Sequence, residues 1–168
     1  MEGKRDVILD TCVLINFAAI KRVDLLAAHP HDAFVITNHV RDEIKEHFED
    51  QFDAVNAALE DGTLREIVAD QPQELVDFAE LAKHLGQGES SAIAVAMNRS
   101  IPLVIDDRQA RNRALTYHST IEILNTVDVV VVLIHEGVLS VEKADEIKLD
   151  WQTNHSFKLK FTSFAEKT

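Results

Sequence analysis

The sequence predicts an α/β fold in which helices cover both faces of a central parallel sheet. Short apolar runs alternate with amphipathic segments along the chain, an order typical of strands joined by helical crossovers. The runs are continuous and rich in β-branched residues, as in strands that are buried on both faces. We therefore expect three layers, α/β/α, in one domain over residues 1–168.

The first predicted strand and the first predicted helix meet at an acidic residue. The apolar run Val7–Leu9 predicts a buried strand, and the segment Val13–Ile15 predicts the start of a helix. Asp10 and Thr11 lie between them, where either residue would cap the helix. Asp10 would then lie at the carboxyl end of the strand, the edge of an α/β sheet at which ligands bind.

The middle of the chain repeats this order. Apolar residues in steps of three or four predict one long helix that ends at Gly62. Gly86 separates two further predicted helices, and the second of them begins at Gly88 and Glu89. The long helix face comprises Val40, Ile44, Phe48, Phe52, Val55 and Leu59; strands are predicted at Ala33–Thr37, Leu64–Val68 and Ile101–Ile105, and helices at Glu74–Leu85 and Arg108–Leu115.

The segment Thr126–His135 supports two interpretations. Its four consecutive valines favour a strand, whereas Thr126 and Gly137 are typical of a helix start and a helix end. We favour the helix. The other elements predicted for the C-terminal part are a strand at Thr120–Leu124, a helix at Ser140–Trp151 and a half-exposed edge strand at Phe157–Phe161.

The composition limits the classes of function. The formal net charge of −12 argues against a module that binds nucleic acid through charge alone, because neutralising phosphates requires a basic surface. A nuclease stays open, since metal ions bound to clustered carboxylates reverse the local field. No apolar run approaches the roughly 20 residues of a membrane span, and the one cysteine, Cys12, forms no internal disulfide. We expect a cytoplasmic protein that does not associate with membranes.

Acidic side chains from distant parts of the chain are predicted to meet in one pocket. Right-handed crossovers bring strand ends and the following helix starts to the same edge of the sheet. Carboxylates gathered there would raise one another's pKa values unless a divalent cation lay among them. Oxygen ligands favour Mg²⁺ or Mn²⁺ over Zn²⁺. The residues are Asp10, Glu43, Glu89, Asp106 and Asp107.

Each acid also has a purely structural explanation. Asp10 would cap a helix, Glu43 would be solvated in a charged run, and Glu89 would complement a helix dipole. Asp106 and Asp107 would form a turn and a cap. The joint pattern is more specific than any one of its members.

Four segments carry a resemblance to a known family. They read VILDTCVLINF from Val7, VRDEI from Val40, GESSAIAVA from Gly88 and LVIDDRQAR from Leu103. In this order they resemble the PIN-domain nucleases, including the VapC-type toxins of toxin–antitoxin pairs. The first and last segments are the more specific, and the resemblance spans Val7 to Arg111.

The resemblance implies a PIN-like α/β/α fold that cleaves single-stranded RNA with Mg²⁺ or Mn²⁺. Thr11 and Asn16 match polar positions of the family, and Cys12, where Asn or Ser is frequent, is interpreted as a packing residue. Ile105 replaces a hydroxyl residue that often precedes the last acids, so the register of the final ligand stays open. The implied metal ligands are Asp10, Glu43, Glu89 and one or both of Asp106 and Asp107.

The expected reaction is hydrolysis in which a metal-activated water attacks the phosphorus atom in line and the 3′ oxygen leaves. From the family we also expect a homodimer. A candidate partner is an antitoxin protein that lies along the first two helices and inserts a basic residue into the acidic pocket. Candidates for contacts with RNA phosphates are Arg41, Lys45, Arg108, Arg111 and Arg113.

Other classes of protein fit the sequence less well. A HAD-type phosphatase needs a second Asp where Cys12 stands, and a cysteine phosphatase needs Arg where Ala18 stands. The eight histidines show no zinc spacing, and His39 and His47 beside Glu43 are not expected to bind a metal that prefers oxygen. The main alternative is an acidic interaction module that keeps a PIN-like fold without catalysis.

Overall fold

A five-stranded sheet forms the centre of the computed structural model, which describes residues 3–168. Every pair of neighbouring strands is parallel, as the buried apolar runs predict. The strands are β1 (Arg5–Leu9), β2 (Asp32–Thr37), β3 (Arg65–Ile67), β4 (Leu103–Val104) and β5 (Ile123–Leu124), in the spatial order β3-β2-β1-β4-β5. The predicted α/β class with a parallel central sheet is therefore confirmed.

Helices cover both faces of this sheet. Val7 and Leu9 of β1 point into one apolar core, the first core, whereas Ile8 points into the other, the second core, because successive side chains of a strand face opposite sides. Together the two cores confirm the three-layer arrangement. The helices are α1 (Thr11–Ala19), α2 (Asp24–Ala27), α3 (Asn38–His47), α4 (Glu49–Glu60), α5 (Pro72–Leu81), α6 (Gln87–Arg99), α7 (Arg108–Tyr117), α8 (Thr126–His135) and α9 (Val141–Asn154), followed by a short 3-10 helix (Phe164–Glu166).

The long helix predicted from Val40 to Leu59 is wrong in one respect, because it is broken into α3 and α4. Phe48 lies between them with φ −131° and ψ 54°, outside the helical region. Its N–H still bonds the carbonyl of Ile44 at 2.9 Å, and its carbonyl accepts from the N–H of Phe52 at 3.0 Å. Hydrogen bonding and the apolar face therefore continue across a one-residue break, and no Gly or Pro marks it.

The edge strand predicted at Phe157–Phe161 is also wrong. The apolar side chains of Phe157, Leu159 and Phe161 pack against the first core, as their alternation indicates, but the segment pairs with none of the five strands. Instead, the N–H of Phe157 bonds the carbonyl of Trp151 at 3.1 Å, which folds the chain back onto α9. The alternation of apolar and polar residues in this segment therefore shows that one side is buried, but it does not show that the segment joins a sheet.

The segment Thr126–His135 is a helix, as we favoured. Asn125 and Asp128 form a reciprocal capping box, with the N–H of each donating to the side chain of the other at 2.9 Å. This local signal outweighs the strand propensity of the four valines. In the part of the chain that the structure describes, no helix combines the length and the apolar character that crossing a bilayer requires.

The order of the strands reverses at β1. The chain passes from β1 to β2 on one side, whereas β4 lies against the other side of β1. In open parallel sheets, such a reversal leaves a crevice beyond the carboxyl ends of the strands, and ligands bind there. The carboxyl end of β1 is followed directly by Asp10.

Candidate functional site

Strand ends and helix starts bring acidic side chains to the carboxyl edge of the sheet. Asp10 follows β1, and Asp106 lies two residues beyond β4. Glu43 is on α3, the helix that follows β2, and Glu89 is in the first turn of α6. Asp107 follows Asp106 and is the N-cap of α7. The predicted location at this edge is thus what the fold produces.

Asp10 is almost completely buried, with 1% of its surface exposed. It occupies the N-cap position of α1, but its side chain makes no capping hydrogen bond, and its Oδ1 has no hydrogen-bond partner within residues 3–168. Burial, followed by the charges of Glu89 and Glu43, raises the pKa of Asp10 from 3.8 to about 8, although the backbone N–H groups of Thr11 and Cys12 partly oppose the rise. A capping role therefore does not explain this carboxylate.

Glu43 is tied to both neighbouring elements. Its Oε2 accepts a hydrogen bond from the backbone N–H of Gly88 at 2.8 Å and one from Oγ1 of Thr11 at 3.2 Å. A Cβ atom at position 88 would clash with both Oε2 of Glu43 and Oγ1 of Thr11. Gly88 is therefore required so that the first turn of α6 approaches the carboxylate closely. A freely solvated Glu43 is excluded.

Glu89 lies in the first turn of α6, and the charge of Asp107 acts on it. Glu89 is partly buried, and burial raises its pKa, with the charges of Asp107 and Glu43 adding to the effect. Asp107 is exposed, and its Oδ1 caps α7 by accepting the N–H of Ala110 at 2.8 Å. The cap that the sequence offered as an alternative for this pair is therefore present at Asp107.

Asp106 accepts three hydrogen bonds. Its Oδ1 accepts the backbone N–H of Thr126 at 2.8 Å, and its Oδ2 accepts from Oγ1 of Thr126 at 2.6 Å and from Nδ2 of Asn16 at 3.3 Å. Burial raises the pKa of Asp106, and the Thr126 bonds oppose that rise. The carbonyl of Asn16 is fixed in turn by the indole N–H of Trp151 at 2.6 Å.

Two residues of this edge escaped prediction as parts of a site. Gly88 was predicted only to begin a helix, and Thr126 only to start α8. Gly88 directly precedes an acid at a helix start, and Thr126 closely follows the predicted strand that ends at Leu124. These two positions in the sequence are the signals from which the roles of Gly88 and Thr126 in the site could have been predicted. Cys12, interpreted as a packing residue, is instead exposed at the residue level. Partial burial of its thiol, followed by the charges of the nearby acids, raises the pKa of Cys12 to about 12.

Two open cavities border the candidate site, one at Glu43 and one at Asp106. One cavity, of about 380 Å³, is lined by Glu43 and lies between α3 and the start of α6. The other, of about 460 Å³, is lined by Asp106 and lies beside α7. No three His, Cys, Asp or Glu side chains among residues 3–168 are grouped closely enough to hold a metal ion.

The donor chemistry nevertheless fits a hard divalent cation. The side-chain groups are carboxylates, and Oδ1 of Asp10 is buried without a partner, which costs free energy unless a cation or a proton compensates it. Charges of Glu43 and Glu89 reach Asp10, since both raise its pKa. These three carboxylates form the centre of the candidate site, with Asp106 and Asp107 on its α7 side.

The fold and the site together define an α/β/α protein with an acidic site where the strand order reverses. Within that class, a family model for the PIN domain matches residues 6–157. The chain therefore belongs to the PIN-domain family, whose members are generally nucleases. The family resemblance carried by the four sequence segments is confirmed.

Two solved structures are similar to this chain, and the first of them supports the same fold. A PilT N-terminus domain protein from the hyperthermophilic archaeon Sulfolobus solfataricus is similar with a TM-score of 0.51 and 18% identity, over 74% of this chain and 89% of that one. The VapBC2 complex of Rickettsia felis, bound to a DNA fragment of its promoter, is similar with a TM-score of 0.48 and 13% identity, over 71% of this chain and 98% of that one. A comparison with curated protein sequences found no significant match.

Proposed function

We propose that this protein is a Mg²⁺- or Mn²⁺-dependent endoribonuclease that hydrolyses single-stranded RNA. The observation that carries the proposal is the buried carboxylate of Asp10. Its Oδ1 lacks a partner in residues 3–168, its pKa is raised to about 8, and it lies at the strand-order reversal of a PIN domain. Burying a carboxylate without a hydrogen-bond partner costs free energy, and a purely structural role does not compensate this cost.

Asp10, Glu43 and Glu89, with Asp106 and Asp107, would hold the cation. Because no three of them are grouped closely enough in the structure, binding would draw the carboxylates together. The bound ion would lower the pKa of a water molecule and stabilise charge on the phosphate. The chain's own contribution is positional. Thr11 and Gly88 orient Glu43, whereas Thr126 and Asn16 orient Asp106.

The proposal is tested by degradation of an end-labelled single-stranded RNA in Mg²⁺, in Mn²⁺ and in EDTA. Wild-type protein should cleave the RNA only with metal, and Asp10→Asn should lower the rate at least about a hundredfold, because loss of a group that merely orients a metal ligand already costs about 10–100-fold. Asp53→Asn is the matched control, because Asp53 is exposed on α4. Undiminished cleavage in EDTA would refute the metal-dependent reaction.

A second measurement separates the enzyme from the non-catalytic alternative. At a hundredfold excess of Mn²⁺ over its Kd, binding should add about 2.7 kcal/mol to the free energy of unfolding, which is roughly 5–10 °C in Tm for a domain of this size. Asp10→Asn should lose this shift. A normal shift without RNA cleavage would favour a metal-binding interaction module instead.

We extend the proposal to a cytoplasmic toxin that is held by an antitoxin and forms a homodimer. Support comes from the sequence resemblance to VapC-type toxins, with Cys12 as the lone cysteine. Growth arrest of cells that express the wild type, but not of cells that express Asp10→Asn, would support toxicity. Light scattering of the purified protein would test the dimer.

A further inference from the structure

Three arginines on α7 differ from the other arginines of the chain. Each of the five others pairs with a carboxylate within 4.0 Å: Arg5, Arg22, Arg41, Arg65 and Arg99. Arg108, Arg111 and Arg113 form no ion pair with any residue in the 3–168 range. In a chain with a net charge of −12, acids are abundant, so three free guanidinium groups on one helix are unexpected for a surface that only needs to be soluble.

The helix presents these arginines outward beside the acids. Ala110 and Ala114 face the second core, and Arg108 and Arg111 are exposed. Arg108 and Arg111 line the cavity that reaches Asp106. Arg108 also lines a shallow depression of about 490 Å³ along the outer face of α7, together with Arg113. Because Arg108 borders both, one open surface leads from the acids along a helix about 15 Å long.

The opposite side of the acids has the opposite charge. The cavity beside α3 is lined by Asp42, Glu43 and Glu46 and by no lysine or arginine of the described residues. Arg41 on α3 is held 3.8 Å from Glu66 and does not line that cavity. A polyanion would be repelled from the α3 side and attracted to the α7 side.

We propose that the outer face of α7 binds the RNA strand next to the phosphate that is cut, so that the substrate leaves the acids over α7 and not over α3. The inference rests on the proposed function and adds the path of the substrate. Arg108 and Arg111 bind successive phosphates, and Arg113 extends the surface. Asn112 and Gln109 line the same depression and provide uncharged donors and acceptors for sugar hydroxyls or base edges.

The test is the equilibrium binding of a fluorescein-labelled single-stranded RNA, followed by anisotropy in EDTA over a series of KCl concentrations. The double variant Arg108→Gln/Arg111→Gln should bind about tenfold or more weakly. The slope of log Kd against log[KCl] should fall by about 1.4, because each phosphate contact contributes about 0.7 for a single strand. Lys4→Gln/Arg65→Gln removes the same charge at the amino-terminal edge of the sheet and should keep the wild-type slope.

The outcomes separate this inference from the proposed function. Wild-type protein that neither binds nor cleaves RNA refutes both. RNA binding and cleavage that survive unchanged in the α7 variant refute the inference alone. The inference is also refuted if the slope of log Kd against log[KCl] falls in Arg41→Gln/Lys45→Gln and not in the α7 variant. Tighter binding of a DNA strand of the same sequence overturns the assignment to RNA. The Mn²⁺-induced rise in Tm should persist in the α7 variant, which shows that its acids remain in place.

Discussion

The backbone N–H of Gly88 donates a 2.8 Å hydrogen bond to Oε2 of Glu43 and thereby sets the distance between α6 and α3. A side chain at position 88 would clash with that oxygen and with Oγ1 of Thr11. Gly88→Ala should therefore push α6 from α3, lower the free energy of unfolding by about 1–3 kcal/mol and reduce RNA cleavage. Urea unfolding and the RNA assay measure the two effects.

Gly86→Ala is the matched control for this substitution. A Cβ at Gly86 would meet Oε1 of Glu89 at 3.6 Å, which is ordinary van der Waals contact. This variant should unfold and cleave RNA almost as the wild type does. Equal cleavage by the two alanine variants would contradict the role of the Gly88 contact.

The pH dependence of stability should reveal the proton on Asp10. Its pKa is about 8 in the folded protein and 3.8 in an unperturbed chain, so the folded state holds a proton that the unfolded state has lost. In metal-free buffer the free energy of unfolding should consequently decrease as the pH rises from about 4 to about 8. Asp10→Asn removes this contribution and should be more stable than the wild type at the upper end of that range.

Denaturant unfolding in EDTA at several pH values measures this difference. The gain from Asp10→Asn should shrink as the pH falls toward 4, because the unfolded state of the wild type also becomes protonated as the pH passes below its pKa of 3.8. The exposed control Asp53→Asn should show no such trend. A constant difference at all pH values would mean that Asp10 is not the group that titrates.

Thr126 is expected to act through Asp106. Thr126→Val removes the O–H that donates to Oδ2 of Asp106 at 2.6 Å but keeps the backbone N–H that donates to Oδ1. A hydrogen bond to a charged group is worth about 1.5–3 kcal/mol, so stability should fall by a similar amount and cleavage by about 10–100-fold. Thr126→Val should therefore also change the pH profile of cleavage, whereas Thr126→Ser, which keeps the hydroxyl, should restore it. An unchanged profile in Thr126→Val would rule out this positioning role.

An ion pair between buried Glu74 and partly exposed Arg99 connects α5 to the C-terminal end of α6. Glu74 is fully buried, and its carboxylate accepts two bonds from Arg99, from Nε at 2.7 Å and from Nη2 at 2.9 Å. Burial by itself would raise the pKa of Glu74, but the Arg99 bonds and the N–H of Gln71 lower it below 4.5. Glu74→Gln should lower the free energy of unfolding by about 1.5–3 kcal/mol at neutral pH, because it removes the charge that strengthens the hydrogen bonds from Arg99, which is partly exposed and stays near Asp70.

This stabilisation should disappear in acid. Because the folded pKa of Glu74 is lowered, the contribution is complete above the unfolded pKa of about 4.5 and is lost as the pH falls through the folded value. Unfolding curves of wild type and Glu74→Gln should converge at low pH. Glu80→Gln, which breaks an exposed pair with Lys83, should leave stability close to that of the wild type at any pH.

The layers and the edge that carries the acids could be predicted because they follow from burial patterns. Runs such as Val7–Leu9 are buried on both faces, and an acid directly after such a run has to lie at the sheet edge. The residues typical of helix ends correctly predicted that Thr126–His135 is a helix. The break at Phe48 could not be predicted, because the apolar spacing and the hydrogen bonds continue across it.

The detailed geometry of the site depends on contacts between distant residues. The sequence shows that Glu43 and Gly88 are both near helix starts, but not that one donates to the other across 45 positions. Likewise, nothing in the DD pair distinguishes Asp106, which is held by Thr126, from Asp107, which caps α7. Such distinctions arise only from packing.

Trp151 is the single tryptophan of the chain, and its indole N–H is bonded to the backbone of Asn16, whose side chain contacts Asp106. The ring lies edge-to-face with Phe17 and Phe157 in a buried setting. Tryptophan fluorescence therefore originates from one side chain, which is linked to Asp106 through Asn16. Titrations with cations or oligonucleotides have a built-in optical reporter that requires no dye.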